Sequence, residues 1–274
     1  MNILFCGDRN IKDGVLISCL SICKDYLRPI NVFILTAGIE LEDKKVYPIE
    51  NEFEASLEIQ IKEYNKESTV KLLDITQLFN EFPPTANMGT RFTPCCMLRL
   101  YADLVADLPE KILYLDNDVI CRNGIEDLYA FDIEDFEIAG VLDYYGKWFF
   151  KKNIFRFDYI NSGVLLLNLK KIKERGLFEK CRGYCREKKM FMPDQSAINK
   201  LSINKAILPR KFNEQRKLKK DTVLQHFTTS FRFFPFFHTV SVKPWQVDNV
   251  HNILKINEYD EILDEYMNAK EKIL

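Results

Sequence analysis

The sequence predicts an α/β fold built on an open, mostly parallel sheet. Strand-like apolar runs alternate with amphipathic segments along most of the chain, the pattern of a sheet covered by helices. One run, Gly163 to Leu169, is nearly all Val and Leu, and such continuous apolarity implies a strand buried on both faces. The 274 residues suit one large domain or a domain with a small appendage, and 47% apolar residues can supply a sizeable core.

The elements follow in order. Met1 to Cys6 is short and apolar, ends in Gly7-Asp8, and reads as a buried strand entering a loop. Val15, Leu16, Cys19, Leu20, Ile22 and Cys23 recur at helical spacing. Asn31 to Thr36 is the next strand, and Phe53, Leu57, Ile61 and Tyr64 mark a second helix with a Glu/Lys outer face. Thr69 to Ile75 is a third strand; Pro94 to Leu108 is a third helix, with Pro94 tolerated in its first turn. Lys111 to Leu115 is a strand that runs straight into Asp116-Asn117-Asp118. Ile138 to Leu142 and Gly163 to Leu169 are further strands, while Leu177 to Lys189, Asp194 to Leu201 and Glu258 to Met267 are helices. No internal repeat, low-complexity tract or Ser/Gly linker interrupts them.

Composition narrows the function classes. With 39 basic against 40 acidic residues, the chain lacks the bulk charge of a nucleic-acid partner. The eight cysteines show no C-x-x-C pair with a distant twin, which argues against a zinc site. Cysteine this frequent without a disulfide pattern fits a reducing compartment. The segment Met1 to Asn10 does not read as a signal peptide, and no stretch has the length to cross a bilayer. The expected location is the cytoplasm.

Ligands of open α/β sheets sit beyond the carboxyl ends of the strands. Two predicted strand ends are acidic here: Asp8 after the first, and Asp116 and Asp118 after the fourth. Carboxylates two residues apart at a strand end can both turn toward one hard cation, leaving other positions to water and substrate phosphates. The segment is no EF-hand, which would need an oxygen ligand at Ile120 and glycine at Cys121. A solvated acidic turn is the bland alternative. The stretch Cys6-Gly7-Asp8-Arg9-Asn10 lacks the G-x-G-x-x-G of dinucleotide enzymes. Asp8 would repel a phosphate but suits the N–H and O–H donors of a base or ribose, with Asn10 adding a mixed edge; alternatively Asp8 caps the following helix. The only histidines are His226, His238 and His251, so any metal-binding imidazole comes from these.

Taken together, several segments resemble glycosyltransferase family 8, a family of retaining enzymes, from Met1 to about Trp245. They are Ile3 to Asn10, Leu98-Arg99-Leu100, Tyr114 to Val119, Asn161 to Leu169, Asp194-Gln195, His226-Phe227 and Lys243-Pro244-Trp245. The resemblance implies the GT-A fold over residues 1–245, a C-terminal helical extension over 246–274 packed on or beside it, and transfer of a hexose, glucose or galactose, from a UDP-sugar. It implies that Cys6, Asp8 and Asn10 meet the uracil and ribose. Arg99 would meet the sugar and diphosphate side, with Asn117 between the metal-binding acids Asp116 and Asp118. His226 would be the third ligand of Mn(II), with Mg(II) as the alternative ion. Asn161, Asp194 and Gln195 would touch the donor sugar, and Lys243 the diphosphate. Asp194, Gln195 and Lys243 are the expected catalytic group, although Gln195 is a poor nucleophile and Asp194 could instead cap the helix that begins there. The acceptor class is a glycan or glycolipid of a bacterial-type surface polymer, such as lipopolysaccharide or capsule.

The chain departs from the family pattern between His226 and Lys243, where Phe227 to Val242 contains no glycine but Phe231, Phe233, Phe234, Phe236 and Phe237. Phe231 to His238 reads as a flap, a core-packed loop, or a contact with membrane or acceptor. Nearby Lys205, Arg210, Lys211, Arg216, Lys217, Lys219 and Lys220 face one acid, Glu214; such a run is a solvated loop or a peripheral contact for anionic lipid or a phosphorylated acceptor. Two rival classes remain on the sequence: a nucleotidyltransferase, which would carry a basic Gly-rich loop after the first strand that Gly7 to Gly14 lacks, and an inactive UDP-sugar binder, which need not keep Asp116, Asp118 and His226 together.

Overall fold

The computed structural model describes residues 1–41, 45–89, 94–146, 158–232, 236 and 238–273. Its framework is a seven-stranded sheet. In chain order the strands are β1 (Asn2–Cys6), β2 (Asn31–Thr36), β3 (Thr69–Asp74), β4 (Lys111–Leu115), β6 (Ile138–Leu142), β7 (Ile160–Asn168) and β8 (Lys205–Leu208), with a short β5 (Val119–Cys121) outside the sheet. The spatial order is β8-β6-β7-β4-β1-β2-β3. Within this sheet only β7 runs antiparallel, to β4 on one side and β6 on the other; the remaining pairs are parallel.

Period-two alternation sorts the strand side chains to two cores. Ile3, Phe5, Leu113, Leu115, Val164 and Leu166 face the layer that contains α1 (Lys12–Asp25), α2 (Asn51–Lys62) and the last helix, α6 (Asp260–Ile273). Leu4, Ile112, Tyr114, Leu165 and Leu167 face the other layer, made of Pro94–Leu104, α3 (Leu169–Arg175), α4 (Leu177–Glu187) and α5 (Pro193–Leu201). Central strands covered on both faces explain the near-continuous apolar run of β7. The eight cysteines form no disulfide among the described residues, and most are buried.

Two expectations are corrected. Pro94–Leu104 is a 3-10 helix, not an α-helix reaching Leu108. Its Arg99 side chain donates Nε–H to the Cys96 carbonyl at 2.9 Å, an acceptor that an α-helical turn would use for Leu100 N–H. Asp194 does not cap α5: the N-cap position is Met192, and the Asp194 carboxylate is spent on tertiary partners described below. The strand β8 was not anticipated, and α6 runs further than Glu258 to Met267.

The helix α1, which follows the first strand, is tied to β5. Its buried Ser18 donates to the Val119 carbonyl, and Ser21 accepts from Cys121 N at 3.0 Å. A Cβ on Gly14 would lie 2.1 Å from the Asn117 carbonyl and 2.8 Å from the Trp245 ring, so the helix can approach the Asp116–Asp118 turn this closely only with glycine there. The helix α6 in turn packs on α1. Its fully buried Tyr266 donates its hydroxyl to Asp13, and Lys270 Nζ reaches the same carboxylate at 2.7 Å. Tyr266→Ala is expected to lower unfolding free energy by about 3–5 kcal/mol, and Tyr266→Phe by about 0.5–1.5 kcal/mol, measured by urea titration. A loss under about 1 kcal/mol for the alanine variant would show that α6 unfolds independently of the core.

Candidate functional site

The carboxyl ends of β1 and β4 lie side by side. Leu4 pairs with Tyr114, and the same register carried two residues on sets Cys6 beside Asp116. Asp8 is nearly buried, and its side chain accepts from Asn10 N at 2.9 Å, capping the 3-10 turn Arg9–Ile11. Asn10 itself is exposed. These residues form one rim of the site, and the Asp116-Asn117-Asp118 turn forms the next.

Three candidate ligands meet at this turn. β5 pairs antiparallel with β9 (Leu224–His226), in a register that sets His226 opposite Val119; Phe227 N also bonds the Asp118 carbonyl at 2.9 Å. A short two-stranded ladder therefore delivers His226 to Asp118. His226 Nε2 lies 3.0 Å from Asp118 Oδ1 and 3.6 Å from Asp116 Oδ2. One ligand atom from each of the three residues falls within 4.8 Å of the others. On the opposite side, Asp116 N bonds the Gly163 carbonyl at 2.7 Å. A Cβ on Gly163 would sit 2.1 Å from His226 Cε1 and 2.6 Å from Asp116 Oδ2. The cradle exists because that position has no side chain. Two carboxylates and one imidazole around it suit Mn(II) or Mg(II), with open positions left for water and phosphate oxygens.

Electrostatics keep Asp118 ionised. Burial opposes the charge on Asp118, but His226 and Lys243, through their charges and hydrogen bonds, hold its carboxyl well below the usual carboxylate range. Lys243 Nζ bonds Asp118 Oδ2 directly and donates to the Phe227 carbonyl at 3.1 Å. So the glycine-free spacer still returns Lys243 to the acids. Within that spacer Ser230–Arg232 and His238–Val240 form a small antiparallel pair, and Phe236 is exposed. Phe233, Phe234, Pro235 and Phe237 lie outside the described residues, as therefore does most of the segment expected to be a flap, core or membrane contact. For His226, burial disfavours the imidazolium, yet the Asp118 charge and hydrogen bond, with Asp116, raise its pKa above the ordinary 6.5.

Behind the acids lies a buried polar network. Arg99 stacks on the Tyr114 ring, 4.0 Å from its centroid, and bonds Asp116 Oδ1 at 2.9 Å; Tyr114 donates to the same oxygen at 2.6 Å. Arg99 also donates to the Ser162 carbonyl and lies 3.4 Å from Asp194 Oδ2. Asp194 accepts from Ser162 Oγ at 3.0 Å. Gln195 Oε1 accepts from Ser162 N at 2.9 Å, and its Nε2 donates to Asp143 Oδ2 at 3.2 Å. Asn161 Nδ2 donates to the same Asp143 oxygen at 3.0 Å. Arg99, Asn161, Asp194 and Gln195 are thus brought together, and the ends of β4 and β7 link them to Asp116.

Sequence reasoning missed several members of this site. Asp143 ends β6 as Asp8 and Asp116 end their strands, and that shared placement was the signal available. Asn213 accepts or donates at His226 Nδ1 across 3.3 Å and donates to Asn161 Oδ1 at 3.0 Å; nothing in its local sequence marks it. Gly163 sits inside an apolar strand, where a lone glycine signals close backbone approach.

Comparison with known proteins bears on the family and the fold. The lipopolysaccharide 1,3-galactosyltransferase of Salmonella typhimurium is 26% identical over 261 residues, covering 89% of this chain and 72% of that one. A lipopolysaccharide 1,2-glucosyltransferase of Escherichia coli is 28% identical over 177 residues, covering 56% of this chain and 52% of the relative, so the match spans about half of that protein's length. The crystal structure of the galactosyltransferase LgtC in complex with donor and acceptor sugar analogues aligns over 97% of this chain and 96% of that one, with a TM-score of 0.66 and 19% identity. The fold is GT-A. Residues 2–249 match the model of glycosyl transferase family 8, and with the acidic turn, the histidine and the sheet already in hand, the chain belongs to that family.

Proposed function

We propose that the chain is a retaining, metal-dependent glycosyltransferase that moves a hexose from a UDP-sugar to a glycan or glycolipid acceptor. The observation that supports this most directly is the convergence of Asp116, Asp118 and His226 on the space beside Gly163. Glucose or galactose is the proposed hexose and a lipopolysaccharide-type glycan the proposed acceptor, in line with the named activities of the relatives.

In this reading Asp116, Asp118 and His226 hold Mn(II), or Mg(II), which when bound supplies positive charge for the leaving diphosphate. Asp8 accepts from N–H or O–H donors of the nucleoside, with Cys6 and Asn10 completing that rim. Asn117 shapes the turn through its carbonyl contact with α1. Lys243 adds a second positive charge for the diphosphate, and Arg99 fixes Asp116 while neutralising part of the acid cluster. Asn161, Asp194 and Gln195 orient the sugar. Gln195 is no nucleophile: both ends of its amide are engaged, with Ser162 N and Asp143. The reaction is then front-face displacement. The acceptor hydroxyl oxygen bonds the anomeric carbon as the bond from that carbon to the phosphate oxygen breaks, and the hydroxyl proton passes to the departing phosphate.

No helix among the described residues is long and apolar enough to cross a membrane. A cytoplasmic location with peripheral membrane contact is proposed from the basic run, in which Arg216, Lys217 and Lys220 are exposed. The chain should sediment with anionic liposomes at low salt and be released at physiological salt; indifference to anionic lipid at low salt rejects the contact.

Asp118→Asn should lower transfer from a UDP-sugar by at least about 10²–10³-fold, with Mn²⁺ binding weakened in parallel and cooperative thermal unfolding retained. Unchanged turnover with that variant would remove the metal-centre reading. Metal binding should also titrate. Because the ion needs a neutral imidazole and His226 is held above its ordinary pKa, the apparent Kd for Mn²⁺ should rise as pH falls through a midpoint above 6.5. Below it the rise is about tenfold per pH unit for one displaced proton. A flat profile between pH 6 and 8, on the order of the neutral range, counts against His226 as a ligand.

A further inference from the structure

A metal-binding imidazole must present an unprotonated nitrogen to the ion, and its other N–H needs an acceptor that keeps the ring in that tautomer. At His226 the nitrogen turned toward Asp116 and Asp118 is Nε2, and Nδ1 faces Asn213 Oδ1 at 3.3 Å. Asn213 is fully buried. Its amide could in principle point either way, offering Nδ1 an acceptor or a donor, and only the first is compatible with an ion at Nε2.

The direction is decided two residues away. Asn213 Nδ2 donates to Asn161 Oδ1 at 3.0 Å. Asn161 cannot be reversed, for two reasons. Its Oδ1 accepts from the main-chain Gly163 N–H at 3.0 Å, and a main-chain N–H can only donate. Its Nδ2 donates to Asp143 Oδ2 at 3.0 Å, an oxygen that also accepts from Gln195 Nε2 at 3.2 Å. With Asn161 Oδ1 fixed by a main-chain donor and Nδ2 turned to the Asp143 oxygen, its Oδ1 faces Asn213. The Asn213 amide nitrogen must therefore face Asn161, and its oxygen is left for His226 Nδ1.

We infer that Asn213 is a positioning residue that sets the His226 tautomer, with Nδ1 protonated and Nε2 free for the cation. The direction of the hydrogen bonds comes from the Gly163 main chain and the Asp143 carboxylate, through Asn161. This rests on the reading of Asp116, Asp118 and His226 as metal ligands. It also couples the proposed sugar-contact residues to the metal centre, since Asn161 and Asp143 hold Gln195 at 3.3 and 3.2 Å.

Two variants separate polarity from packing. Asn213→Leu keeps the branched shape in a bulkier side chain but offers Nδ1–H nothing, and should raise the Kd for Mn²⁺ by about 10–100-fold. Asn213→Asp keeps an acceptor for Nδ1–H at the expense of the bond to Asn161, and should stay within about threefold of wild type, well short of that loss. Binding is read in the presence of UDP from the decrease of the free Mn²⁺ resonance in electron paramagnetic spectra, so no turnover is needed. Equal losses in both variants would mean a packing role only, and no loss in either would mean no role; each overturns the inference. If Asn213→Leu does not fold, the aspartate variant alone decides, because loss of Mn²⁺ binding in a folded Asn213→Asp protein contradicts it and retention supports it. Wild-type protein that takes up no Mn²⁺ with UDP present instead rejects the metal centre itself, and the inference with it, a result distinct from variants that bind as wild type does.

Discussion

The geometry of the site depends on one close approach, that of the His226 ring and the Asp116 carboxylate to the main chain of Gly163. The sheet sets Gly163 beside Asp116, and the small β5–β9 ladder, with His226 opposite Val119, brings the imidazole to Asp118; the two arrangements are built independently and meet in the same small space. Any side chain at 163 would occupy the volume in which they meet. Glycine costs backbone entropy inside a strand, and burial of Ile160 and of Val164 to Leu167 in the same strand offsets that cost.

Charge is balanced around that point rather than removed from it. Asp116 and Asp118 stand close together, and their mutual repulsion is relieved by Arg99 behind one and Lys243 and His226 beside the other. Breaking one partner from a buried charged cluster is expensive because it strands the others. The cluster therefore holds both carboxylates in place before any cation arrives, so that little reorganisation is required on binding. Arg99 is the deepest member, and its planar guanidinium can serve Ser162, Asp116 and Asp194 at once where an ammonium could not.

The sheet and the acidic turn were legible because each has a local signal. Lys111 to Leu115 is apolar and ends in two acids at a spacing with direct chemical meaning, and β7 announces its burial by composition. His226 carried no such signal. One of three histidines, it became a candidate through a resemblance spread over the chain, and its partnership with Asp118 depends on β5 and β9, strands of three residues each, too short for periodicity to reveal. Asp143 and Asn213 are further removed: their value lies in which way the Asn161 and Asn213 amides point, a property set by the Gly163 main chain and by a carboxylate from another strand. The 3-10 course of Pro94–Leu104 was hidden for another reason: over so short and so buried a segment, periodicity does not separate three residues per turn from 3.6.

The reversed direction of β7 has a consequence for how such a scaffold can vary. Its parallel neighbours present their last residues to the site, whereas β7 presents its first, Asn161 to Gly163. The chain leaves the sheet at Leu142 and rejoins it at Ile160 on the same edge. That excursion departs from and returns to the rim of the ligand cleft, and its first residue, Asp143, holds Asn161 and Gln195 there. A sheet wired this way opens two of its connections' ends onto one rim, so a change outside the strands reaches the site without passing through the core.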